Sequence, residues 1–82
     1  MDEVGTVFTY FSKVGVAGIK ITNCALKIGD KICIQGHTTS IEQVVDSLQI
    51  EGNNIEEASI GSSVGIKVTK RVRPKDIVYR ID

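Results

Sequence analysis

The sequence predicts an all-β domain, a single small closed antiparallel β-barrel of about six strands filling residues 1–82. Three observations carry this. The chain holds 12 Ile and 10 Val against 3 Ala and 2 Leu, and β-branched side chains lose rotamer freedom in helices but pack well on a pleated sheet. Short apolar runs are separated by turn signals rich in Gly, Asn and Asp. With 82 residues there is chain for one domain only. Closure of so Ile/Val-rich a sheet removes edges that would otherwise template aggregation.

The elements follow in order. Val4–Phe11 is the first strand, with apolar groups on both faces: Phe8 and Tyr10 on one, Val7 and Phe11 on the other. Its inner face is therefore open on periodicity alone. Ser12 to Gly15 is a tight turn. Val16–Thr22 places Ala17, Ile19 and Ile21 on one face and Lys20 and Thr22 on the other. Asn23–Asp30 is a connection plugged by Leu26 and Ile28 and turned at Gly29-Asp30. Ile32 and Ile34 alternate with Lys31, Cys33 and Gln35 in a strand ended by Gly36, and His37–Ser40 is a polar loop. Over Ile41–Glu51 helical spacing (Ile41, Val44, Val45, Leu48) competes with a strand face of Val44, Leu48 and Ile50; strand is preferred. Gly52-Asn53-Asn54 is a turn, and Ile55–Ile60 a connector ended by Gly61. Ser63–Thr69 turns Val64, Ile66 and Val68 inward. Lys70–Asp76 is a basic turn holding the one proline, Pro74, and Ile77–Ile81 is the closing strand.

Net charge is zero, ten basic against ten acidic residues, so there is no cationic body to grip nucleic acid without specificity. The charge is nonetheless segregated. Residues 41–60 carry five acids (Glu42, Asp46, Glu51, Glu56, Glu57) and no base, whereas residues 61–82 carry six bases and two acids. The longest uncharged stretch is ten residues, Ile32–Ile41, about half of what a membrane helix needs. The acidic start, Met1-Asp2-Glu3, lacks the basic and apolar regions of a signal peptide. Two cysteines, Cys24 and Cys33, are too few for a disulfide scaffold, and the expectation is a reduced pair in the cytoplasm.

Little in the chain suits catalysis. No window carries the glycine loop followed by Lys and Ser or Thr that cradles nucleotide phosphates, so no GTP or ATP binding by a P-loop is expected. Cys24, Cys33 and His37 have neither the close pairs nor the fourth ligand of a zinc site. His37, the single histidine, would have to serve as base for Cys24, Cys33 or Ser40, and in its Thr-Thr-Ser setting backbone hydrogen bonding is the simpler role. Glu42, Asp46, Glu56 and Glu57 read as a solvated face. The expectation is a non-enzyme without cofactor or metal. The strongest candidate for function is basic: Lys67, Lys70, Arg71, Arg73, Lys75 and Arg80, able to converge on RNA phosphates or an acidic protein surface. Phe8, Tyr10, Phe11 and Tyr79 are the aromatics that could stack beside them.

Taken in order, the turn pieces resemble a known family. Val4-Gly5-Thr6-Val7 is followed by Leu26-Lys27-Ile28-Gly29-Asp30-Lys31-Ile32, then Val45 to Ile50, Glu57-Ala58 with Gly61, Val64-Gly65-Ile66 with Val68, and Lys75-Asp76-Ile77-Val78. This succession, from Gly5 to Ile81, is similar to the second domain of the translational GTPases, the β-barrel of the elongation factor Tu type. Ser62 stands where that family commonly has aspartate, and Lys75 where it commonly has glycine. The resemblance implies a scaffold without the GTPase domain, and so a stand-alone binding module contacting RNA (tRNA or rRNA), or a protein of the translation or RNA-modification machinery. A similar barrel is appended to the collagenase-like peptidases, and Ile34-Gln35-Gly36-His37-Thr38-Thr39 with Glu42-Gln43 is closer to that version. That resemblance implies an accessory domain acting in trans with a larger enzyme, a collagenase-like peptidase or a GTPase, whose catalytic groups lie elsewhere.

Overall fold

A computed structural model describes residues 1–81. Among them there is no helix, and ten strands run β1 Asp2–Phe11, β2 Val16–Ile21, β3 Leu26–Lys27, β4 Lys31–Gln35, β5 Ser40–Val44, β6 Gln49–Ile50, β7 Asn53–Asn54, β8 Glu57–Ala58, β9 Ser63–Lys67 and β10 Ile77–Ile81. Eight form one antiparallel sheet in the order β5-β4-β10-β1-β2-β9-β6-β7, and β3 pairs with β8 in a separate ribbon. The long strands stand where the alternation predicts. The additional ones are two-residue pieces: β3 and β8 lie in segments read as connectors, and β7 in the segment read as a turn. β6 lies near the end of 41–51, which reads as one strand but is interrupted between β5 and β6.

The expected closed barrel is not formed: β5 and β7 are the two edges of the sheet. Side chains span the opening between β5 and β9. The Gln43 amide donates to the Lys67 carbonyl at 2.8 Å and accepts from the Thr69 N–H at 2.9 Å. That is the pair of bonds a parallel neighbouring strand would make around Val68. Ser47 Oγ accepts from the Lys67 N–H at 3.3 Å. The sheet curls far enough to bring β5 to β9, and the contact is made by an amide side chain where a barrel would have a backbone ladder.

The core is apolar and mostly β-branched. Val4, Val7, Ile19, Ile21, Ile32, Ile34, Ile66 and Val78 are fully buried or nearly so, with Leu26, Val45, Leu48 and Val72 closing the ends. β1 resolves its own ambiguity by bulging twice, between Glu3 and Gly5 against β10 and between Val7 and Thr9 against β2. Each bulge shifts the alternation by one residue, so Val4 and Val7 both point inward while Phe8 and Phe11 face solvent. Gly5 is required at the first bulge, because a Cβ there would run into the Lys20 carbonyl.

Three expectations are corrected. Over 41–51 the expected inward face of Val44, Leu48 and Ile50 holds only in part. Leu48 is in the core and Ile50 packs against it, but Val44 is 46% exposed, while Ile41 and Val45 are buried with Gln43 half-buried between them. Leu48 is buried from the irregular segment between β5 and β6. Ile28 is 40% exposed and plugs nothing, since Gly29 and Asp30 turn the chain by pairing with Val45. The turn at 52–54 is displaced to Glu51-Gly52, both at positive φ (51° and 79°) as a two-residue hairpin loop demands, leaving Asn53–Asn54 to pair with β6.

Residues 53–58 pass from one sheet to the other: Ile55 N–H donates to Leu48 on the β6 side, and Glu56 O accepts from Ile28 on the β3 side. No helix among the described residues is long and apolar enough to cross a membrane.

Candidate interaction surface

Segment 68–76 joins β9 to β10 across the end of the molecule that also carries the β1–β2 turn. Val68 and Val72 are buried and hold it down, and Val68 N–H donates to the Gly15 carbonyl at 3.0 Å. Its second half is a tight turn, with Asp76 N–H donating to Arg73 O at 3.1 Å and Asp76 Oδ2 accepting from Arg73 N–H at 2.8 Å. Lys75 N–H donates to Val7 O, and Asp76 O accepts from Val7 N–H, both at 2.8 Å. The Asp76 carboxyl is buried against Gly36, where a Cβ would collide with it. Alternating buried anchors leave the charged residues outside on a fixed backbone.

Five of the six basic candidates are exposed along this route: Lys67 at the end of β9, then Lys70, Arg71, Arg73 and Lys75. None of the five forms an ion pair among the described residues. The Arg71 guanidinium lies over the Tyr10 ring, 6.0 Å from its centroid, a cation–π contact that orients the charge. Arg80 belongs elsewhere. It sits about 10 Å further along β10 than Ile77, where its guanidinium donates to Ala25 O at 2.9 Å and approaches Asp2 at 3.7 Å and Asp30 at 3.9 Å. Its donors knit the opposite end of the molecule together.

The aromatic component lies beside the cations, on the outer face of β1, β2 and β9. Phe11, Val16 and Lys67 form one cross-strand row, and Thr9, Gly18 and Gly65 the next. Two glycines opposite each other leave that row flat, and the Phe8 ring lies across it, so close that a Cβ at Gly18 would meet Phe8 Cζ at 2.9 Å. Phe8, Phe11 and Val14 are each more than half exposed. Beside them is a shallow depression of about 360 Å³ lined by Val14, Val16, Ser47, Gln49, Gly65 and Lys67. Gly18 and Gly65 are functional candidates that the sequence reading missed, because only the register reveals that they share a face with Phe11 and Lys67. Val14 is a third, brought by the turn to the depression beside them.

The groups with chemical reactivity are dispersed. Cys24 donates its thiol to the Glu3 carbonyl at 3.3 Å, at the end of the molecule opposite the β4–β5 loop that carries exposed His37. Cys33 is a buried free thiol on β4. No group of three His, Cys, Asp or Glu side chains able to hold a metal ion occurs among the described residues. Of the acids, Asp46, Glu56 and Glu57 border a groove of about 710 Å³ where the chain passes between the sheets, with Lys27 on its wall and Leu48 and Ile55 among its lining.

No family model matches the chain. It is 42% identical over 80 residues to a collagenase of Porphyromonas gingivalis, a match covering 96% of this chain and 22% of that protein. It is 45% identical over 78 residues to an uncharacterized protease of Methanocaldococcus jannaschii, covering 94% of this chain and 19% of the protease. The chain therefore spans about a fifth of the length of these curated relatives. Its fold is that of the C-terminal domain of a Geobacillus thermoleovorans protein described as a U32 peptidase. That solved structure superposes with a TM-score of 0.91 at 23% identity, covering 99% of this chain and 93% of that one. The peptidase side of the sequence resemblance is thus supported; none of these relatives is a translation factor.

Proposed function

We propose that the chain is a non-catalytic accessory domain working with a collagenase-like peptidase, through contact and not through chemistry of its own. The observation that carries this is the match itself: nearly the whole chain corresponds, at 42% identity, to about a fifth of a collagenase. The remaining four-fifths of such a protein is ample to hold a catalytic centre. The scatter of Cys24, Cys33 and His37 favours the same reading, since nucleophile and base must meet within hydrogen-bond reach.

The test is a graft. The matched 80-residue segment of the Porphyromonas collagenase is deleted, or replaced by residues 1–82 of this chain, and collagen hydrolysis is measured beside the isolated chain. The expected result is activity in the graft, loss or loosening of activity in the deletion, and none in the isolated chain. A graft as impaired as the deletion would overturn the assignment, as would peptide hydrolysis by the isolated chain.

A second reading, contact with RNA, rests on one observation: Lys67, Lys70, Arg71, Arg73 and Lys75 are all exposed, on a fixed backbone, near exposed Phe8 and Phe11. It is tested by titrating labelled tRNA across salt. A salt-dependent affinity lost on Lys70→Glu/Arg71→Glu/Arg73→Glu supports it, and no binding at low salt removes it.

A further inference from the structure

We propose that the outer face of β1, β2 and β9 is the domain's docking surface, and that its occupant is a protein surface with an apolar centre and a carboxylate rim, carried by the larger part of the peptidase. This deepens the accessory-domain reading and rests on it. The face has the composition of an interface and not of a solvated sheet. Phe8, Phe11 and Val14 each leave more than half of their surface in water, and Val16 lies between the Phe11 and Lys67 positions in register. The paired glycines Gly18 and Gly65 hold no side chain away from an approaching partner, and the Phe8 ring lies against one of them. A flat apolar centre that a partner can cover is the arrangement that concentrates binding energy at interfaces.

Charge complementarity identifies the partner. The cross-strand rows from Thr6–Lys20–Ser63 to Phe11–Val16–Lys67 contain no carboxylate. Lys67 closes the last of them, and exposed Lys13 stands in the turn beyond. A carboxylate-rimmed surface would find cations around its apolar centre, and like-charged surfaces would be repelled. The fold keeps the face rigid, because the β1–β2 turn is closed by two bonds onto Phe11 O and tied to Val68, so little ordering is needed on contact.

The experiment titrates the labelled 82-residue chain with Porphyromonas collagenase lacking its matched 80-residue segment, at low and moderate salt. Two variants are compared with the parent: Phe11→Ser/Val14→Ser, which removes apolar centre, and Lys13→Glu/Lys67→Glu, which reverses the rim. All four positions are exposed, and thermal melts verify that each variant folds. The expected result is saturable binding that weakens with salt and falls about tenfold or more in each variant. Binding equal in parent and both variants would overturn this face while leaving the accessory-domain reading intact. Absence of binding together with an active graft would likewise overturn docking alone. Absence of binding with an inactive graft would remove both. Binding of tRNA in place of the truncated enzyme, lost with Lys13→Glu/Lys67→Glu, would overturn the protein partner in favour of nucleic acid.

Discussion

Lys75 holds a backbone conformation (φ 80°) that suits glycine. The reason lies in a turn used three times. Lys27–Asp30, Ser59–Ser62 and Arg73–Asp76 each close with the last N–H donating to the first carbonyl, and each has its third residue at positive φ: Gly29 at 95°, Gly61 at 98° and Lys75 at 80°. In two of them the final aspartate carboxylate also accepts from the first N–H, Asp30 from Lys27 and Asp76 from Arg73. The third ends in Ser62, whose shorter side chain makes no such bond in the structure. Lys75→Gly relieves a left-handed strain of about 1–2 kcal/mol against the extra freedom of glycine in the unfolded chain. A gain of about 0.5–1 kcal/mol in urea unfolding is expected. Ser62→Asp supplies the missing bond, and a gain of about 1 kcal/mol is expected by the same measurement. Gly5→Ala acts in the opposite sense. Its Cβ meets the Lys20 carbonyl, and a loss of about 3 kcal/mol is expected.

Among the elements, β5 depends on Gln43 for its attachment to β9. Gln43→Ala leaves Lys67 O and Thr69 N–H to water and is expected to cost about 1–2 kcal/mol. Hydrogen exchange at Thr69 should accelerate well beyond that at β2 amides, and equal acceleration throughout would mean that the bridge acts only through global stability. The same element marks where the sequence stopped being legible. β9 could be read because it alternates from end to end, and β2, β4 and β10 because each is a short run rich in Ile and Val between turn residues. β1 could not, since its two bulges move Val4 and Val7 into register with the core and throw Phe8 out, and a bulge leaves no period in the sequence. In 41–51 the alternation continues inward through Ile41, Gln43 and Val45, but the middle member is an amide, so the apolar pattern favours the wrong neighbours. The β3, β6, β7 and β8 strands are two residues long, too short for any period. The basic candidates divide similarly. The exposure of five follows from composition, because exposure is the default for Lys and Arg. Arg80 could not be separated from them, since its distinction is the company of Ala25, Asp2 and Asp30 across the fold.

For the whole molecule, the decisive pairing is the most distant one in sequence. β10 lies between β4 and β1, so it joins the two halves of the sheet and buries Val78 in the common core. Deleting residues 77–81 is therefore expected to abolish cooperative unfolding, read by thermal melting, and not merely to shift it. The pairing also brings residues 2 and 80 into register, so the chain enters and leaves the domain at nearly the same place. Joining the ends and reopening the chain at Glu51-Gly52 cuts an exposed two-residue turn and no core strand. Such a permutant is expected to keep the fold, checked by its circular dichroism and melt. The arrangement has a mechanical meaning as well. Tension applied between the two ends would pull β1 and β10 apart like a zipper, loading the cross-strand hydrogen bonds one pair at a time, because those bonds run perpendicular to the strands. Strands loaded in shear would resist together; these would yield in succession. A domain tethered at both ends would then open under small forces, however stable its isoleucine and valine core is to heat or urea.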